Sequence, residues 1–146
     1  MSELKLLALD SDDLAVISAH IQDSVFKLSD VRYEAKRGQF ALQFNRYIWE
    51  NSASTQGQNA RCRAGLCIKR VEAVRSTGIN RQETEKVHSL LALQFTQKDD
   101  GPNGTLELIL SGNGIIALDV ECVEAQFADV SGAWETQSKP EHSAAF

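Results

Sequence analysis

The chain is poor in the residues that build most recognisable sites. Among its 146 residues are three cysteines (Cys62, Cys67, Cys122) and three histidines (His20, His88, His142). An odd cysteine count excludes a fully paired disulfide framework, and a chain of this length holds a core without one. No two histidines stand at i, i+4 or another metal-ligand spacing, so no zinc set of three or four ligands is suggested. No uninterrupted apolar run exceeds five residues. That excludes a membrane-spanning helix, which needs roughly 20 apolar residues. The opening MSELKLLALD lacks a basic stretch followed by an apolar one and is not read as a signal peptide. A reducing, cytoplasmic setting is expected. No Gly-Lys-Ser/Thr ending completes a phosphate loop at Ser111-Gly-Asn-Gly. No glycine and distal glutamate follow Asp10, Asp12 and Asp13 to complete a calcium loop.

Positive charge is also scarce overall. The net charge is −5, which argues against nonspecific nucleic-acid or anionic-membrane binding. Its distribution is uneven. Residues 27–86 hold twelve Lys or Arg against six Asp or Glu, a net of +6, while the rest nets −11. The middle of the chain is basic and both ends are acidic.

What is present is rhythm. Asp10 to Asp13 reads as a capped helix start, and Leu14, Ile17, Ile21 and Val25 recur at helical spacing. From residue 25 to about 118 the period becomes two. Phe40, Leu42 and Phe44 share one expected core face, after a hairpin turn at Lys36-Arg37-Gly38. Tyr47 and Trp49 break that parity, so a bulge near Arg46 is expected. Residues 50–59 read as a loop. Cys62, Ala64, Leu66 and Ile68 alternate with Arg61, Arg63, Gly65, Cys67 and Lys69. Val71 is out of phase, which calls for a bulge or a new strand from Lys69-Arg70. In 87–96, Val87, Ser89, Leu91, Leu93 and Phe95 share one face; His88, Leu90 and Ala92 share the other. Leu106, Leu108 and Leu110 point inward. Val120, Val123, Phe127 and Val130 return to helical spacing, with Asp119 as cap.

The expected fold is therefore α+β: a strongly bent antiparallel sheet or barrel of seven to eight strands, with an N-terminal helix and a C-terminal capping helix. In outline it looks like a pleckstrin-homology barrel. Residues 1–134 are read as one domain and 135–146 as a polar tail, with Trp134 tucking back into the body.

The functional signal is basic. Arg61, Arg63 and Lys69 project from the outward face of one strand, Arg75 joins them, and Arg46 and Trp49 edge the same surface. Same-face residues on a strand are spaced by roughly 6.6–6.8 Å, which suits a stripe that meets carboxylate or phosphate groups. The reading is a non-catalytic binding or scaffold module for an acidic protein surface or a small anion. It needs no cofactor and no metal, and nucleic acid is a poor partner for its acidic ends. The alternative is an enzyme on a small anionic substrate, with Cys67 or His88 as the reactive group. Cys67 is the better thiol because basic neighbours share its face and would lower its pKa. Leu90 and Ala92, if exposed, would suit a homodimer.

The segments LKLLALDSDDLAVISAHIQD, FALQFNRYIWE, RCRAGLCIKRVEAVRSTGI, HSLLALQF and GIIALDVECVEAQFADVSGAWETQSKPEH carry a resemblance that covers almost the whole chain. The chain resembles a family of small alphaproteobacterial proteins defined as a domain of unknown function. The resemblance implies a bacterial cytosolic protein and brings no activity, cofactor or catalytic residue with it.

Overall fold

Asp10 sits in extended backbone, and its Oδ1 accepts the Asp13 N–H at 2.8 Å, so the first helix, α1 (Ser11–Ile21), starts at a satisfied N-cap. The computed structural model describes residues 4–47 and 61–130. Leu14, Ile17 and Ile21 form the buried stripe of α1, as their spacing requires. The other elements are strands: β1 (Lys5–Ala8), β2 (Ser24–Lys27), β3 (Val31–Glu34), β4 (Gln39–Tyr47), β5 (Arg61–Ile68), β6 (Val71–Thr77), β7 (Val87–Gln97), β8 (Gly104–Leu110), β9 (Ile115–Val120) and β10 (Ala125–Asp129).

These form one antiparallel sheet of ten strands among the described residues, in the order β1-β10-β5-β4-β2-β7-β8-β9-β6, with β3 beside β4. The sheet does not close. It does fold back on itself. Only Lys69 and Arg70 separate β5 from β6, yet the two stand third and ninth in the order. In a flat sheet that is about 29 Å, against a reach of about 11 Å for three residue steps. The core lies inside the fold. Phe40, Leu42, Phe44, Ala64, Leu66 and Ile68 from one half meet Leu106, Leu108, Leu110, Ile116 and Leu118 from the other, and α1 packs on β7, β1 and β4.

Three expectations change. No C-terminal helix forms over 120–130. β9 runs to Val120, the chain turns a corner, and β10 places Ala125 and Phe127 inward at a spacing of two. The pleckstrin-homology outline loses its capping helix, and β1 and β10 raise the strand count from the expected seven or eight to ten. The physical reason is tertiary. β10 hydrogen-bonds to β5 on one side and β1 on the other, and a helix there would leave both edges unpaired. Second, β4 and β5 pair without a register shift from Phe40↔Ile68 to Tyr47↔Arg61, so no bulge interrupts Arg46. Arg46 keeps the parity of Phe40, Leu42 and Phe44 and is 2% exposed. Third, a bulge between Leu90 and Ala92 exchanges the faces of β7. His88 and Leu90 point in before it and Leu93 after it, while Leu91 is exposed. The Leu93 N–H is met by Ser18 Oγ of α1 at 3.0 Å. Leu90 is fully buried, so it offers nothing to a homodimer face.

The expected loop at 50–59, Trp49, Trp134 and the tail lie outside the described residues, as does the side chain of Arg61. Among the described residues, no helix is long and apolar enough to cross a membrane.

Candidate functional site

The basic residues do not make one stripe. Arg46 turns inward. Its Nε and Nη2 donate to Asp129 Oδ1 and Oδ2 at 2.7 and 2.9 Å, and its guanidinium lies 5.4 Å from the Phe127 ring centre. Leu4 N–H and Cys62 Sγ donate to the same carboxylate, at 3.1 and 3.3 Å. Burial pushes the Asp129 pKa up, but Arg46, the Leu4 N–H and the Cys62 thiol outweigh it and hold it below the usual value. Burial, with the neighbouring Asp129, drives the Cys62 thiol up to about 11, so it is inert. Arg75, on edge strand β6, is paired with Asp119 at 2.5 Å. Arg63 does face outward from β5, where its guanidinium donates to Asp30 at 3.1 Å, Gln43 at 3.2 Å and Asn45 at 3.3 Å.

Lys69 belongs to a different group. The β3–β4 turn carries Lys36-Arg37-Gly38, and the corner between β5 and β6 carries Lys69-Arg70. The fold joins the two turns through the Val71 N–H, which donates to the Gly38 carbonyl at 2.9 Å. Gly38 has φ +62°, and a Cβ there would stand 3.0 Å from the Val71 carbonyl oxygen, so glycine is what permits this approach. Arg70 also takes a left-handed φ of 63°, which a non-glycine residue adopts at some cost. Around the junction lies a polar cleft of about 540 Å³, with Lys36, Arg37, Lys69 and Arg70 facing Glu121 and Glu124. Arg70 pairs with Glu124 at 3.3 Å and Arg37 with Glu34 at 3.2 Å. Lys36 and Lys69 have no side-chain ion pair among the described residues. The sequence did carry a signal for this site: two dibasic doublets, each at a turn.

The two reactive candidates stand apart. Cys67 lies on the outer face of β5, opposite Ala41 and Gln126. His88 lies on the inner face of β7, with its ring 5.6 Å from that of Phe26. Strands β4 and β2 separate them. The Cys67 thiol is not activated: burial raises its pKa, against the downward pull of Lys69. Burial, with Lys86 nearby, lowers the His88 pKa, against the opposing pull of Glu83. Among the described residues, His88 Nε2 is buried without a hydrogen-bond partner, as is Ser24 Oγ. A His88→Leu variant is therefore expected to be at least as stable as the parent at pH 7, because an unsatisfied polar atom leaves the interior. The parent loses stability as pH falls below the unfolded-state value of about 6.5 and through the lower folded value, since the unfolded chain binds the proton first. Chemical denaturation at pH 7 and pH 5 checks this: the advantage of the variant should grow on acidification. Among the described residues no group of three or more His, Cys, Asp or Glu is arranged to hold a metal.

No curated protein and no solved structure matches the chain. The chain belongs to the family described as protein of unknown function (DUF2948), whose model matches residues 4–142.

Proposed function

We propose that this DUF2948 chain is a non-catalytic binding module whose cleft at the joined turns takes a carboxylate-bearing segment of an acidic protein, or a small anion of the same charge. The observation that carries the reading is the pair Lys36 and Lys69. Both line one cleft with Arg37, Arg70, Glu121 and Glu124, and neither makes an ion pair among the described residues. Lysine ammonium groups hold an anion as point charges, and the two arginines add directed donors. Glu121 and Glu124, 3.9 and 3.3 Å from the Arg70 guanidinium, orient it and repel a misplaced anion. In this reading the module works in a reducing, cytoplasmic compartment with its three cysteines free. Separation of Cys67 from His88 by the sheet removes the observation that favoured an enzyme.

The test is titration calorimetry with hexaglutamate, and with phosphate as the small-anion arm. The double variant Lys36→Glu/Lys69→Glu should bind at least about tenfold more weakly at ~50 mM salt, and binding by the parent should weaken as salt rises. Lys86→Glu/Lys98→Glu makes the same charge change at exposed positions elsewhere and should bind as the parent does. Equal losses in both double variants would reduce the cleft to a share of the overall field and contradict the reading.

A further inference from the structure

The outer face of β4, β5 and β10 carries a second groove, of about 380 Å³, within the roughly 300–1,000 Å³ usual for small-molecule sites. Its floor is made of small residues on three adjacent strands: Ala41, Gly65 and Ala128. None of the three extends beyond Cβ, so the floor is flat and mostly apolar. Two strand steps of about 4.8 Å make it about 10 Å wide. Around a Cβ built on Gly65 the one atom met within 4 Å is the Leu42 carbonyl oxygen, at 3.7 Å, so the space above the glycine is open among the described residues.

The pairing registers place charge beside this floor. Arg32, Ala41, Cys67 and Gln126 stand opposite one another in one outward row, and Gln43, Gly65 and Ala128 in the next. Arg63 belongs to the row beyond, opposite Asn45. Its guanidinium holds Asp30 and Gln43, two polar residues of the groove wall, at 3.1 and 3.2 Å. Asp30 also accepts the Lys27 N–H at 3.0 Å, so the one acidic side chain of the wall is already met within the fold. Arg32 differs. It is half-buried, it lines the same groove, and it makes no hydrogen bond or ion pair among the described residues. A guanidinium presents a planar fork of donors that matches one carboxylate, and partial burial strengthens that match relative to open water. One unmatched cation beside a flat apolar floor favours a monoanion over a polyphosphate, and a planar body over a bulky one.

We propose that this groove binds a small molecule with a flat apolar body and a single carboxylate: the body lies on Ala41, Gly65 and Ala128, and the carboxylate meets the Arg32 guanidinium. The site is separate from the basic cleft and does not rest on it. Cys67 lines the groove one row from Gly65, so a bound ligand covers its thiol.

The probe is 2-naphthoate, and 2-naphthylmethanol carries the same rings without the charge. In titration calorimetry the naphthoate should bind the parent, and the alcohol at least about tenfold more weakly. Arg32→Gln changes a half-buried position on β3, which pairs with β4 alone, and should leave the fold intact. It should cost the naphthoate the same factor and leave the alcohol unchanged. Gly65→Val fills the floor where a side chain fits, and should abolish binding of both with the far-ultraviolet circular dichroism unchanged. Lys36→Glu/Lys69→Glu should cost far less naphthoate affinity than Arg32→Gln. In the natural chain, saturating naphthoate should slow the alkylation of Cys67 several-fold, read by peptide mass mapping, and leave Cys122 unchanged. No binding at millimolar naphthoate overturns the proposal. So does equal affinity in Arg32→Gln, a folded Gly65→Val that still binds, an affinity that follows Lys36 and Lys69 instead, or a Cys67 rate that ignores the probe.

Discussion

Arg46→Met is expected to lower the unfolding free energy by about 3–5 kcal/mol at pH 7, the cost typical of leaving one member of a buried ion pair alone. Arg46 is 2% exposed and the Asp129 side chain 11%, so water cannot replace the lost guanidinium. Urea denaturation reads the loss, and the pH dependence identifies its origin. In the parent, the Asp129 carboxyl is held below its unfolded value. Its stabilising contribution is therefore complete above the unfolded pKa of about 3.9 and disappears as pH falls through the lower folded value. In Arg46→Met, burial faces less opposition and the carboxyl pKa rises, so protonation relieves the variant. The deficit should be larger at pH 7 than at pH 4. Arg46→Met/Asp129→Leu removes both charges and should lose less than the single variant. An Arg46→Met protein as stable as the parent at pH 7 would mean that the pair contributes nothing.

Phe127→Ala is the second large effect, at about 3–5 kcal/mol by the same measurement. The residue is 1% exposed. Its ring stacks on Phe44 with centroids 6.2 Å apart and an interplanar angle of 17°, and its face lies beneath Arg46. Gln126 and Ala128, its neighbours on β10, point to the outer face. Gln126→Ala should therefore cost less than about 0.5 kcal/mol. On a helix, residue 127 would instead share its face with 123 and 130. A small loss for Phe127→Ala beside a large one for Gln126→Ala would reverse the direction in which β10 presents its side chains.

The period-two rhythm was a sound guide where one element decides its own faces. Phe40, Leu42, Phe44, Leu106, Leu108 and Leu110 are all buried. The same rhythm carried one step further points Arg46 into the core. An arginine at a core position is a prompt to look for a buried carboxylate, but Asp129 lies 83 residues away and nothing local marks it. Residues 120–130 fit both a helical stripe and a strand with Val123, Ala125 and Phe127 inward; the free edges of β5 and β1 settle the choice, and those edges exist only in the folded sheet. Likewise the bulge at Leu90–Ala92 depends on pairing with β8 and on the hydroxyl of Ser18. For the site, Lys69 was legible as an outward cation. Its grouping with Lys36 and Arg37 rests on one long-range backbone hydrogen bond between two turns.

That grouping is the central claim, and amide chemical-shift mapping tests it most directly. Hexaglutamate titrated into the uniformly ¹⁵N-labelled protein at low salt is predicted to move the amides of Gly38, Lys69 and Arg70 together, with one common saturation curve, and to leave those of Gly65 and Ala128 in place. Shifts confined to the outer face of β5, or no shift at either turn at saturating peptide, would contradict the account.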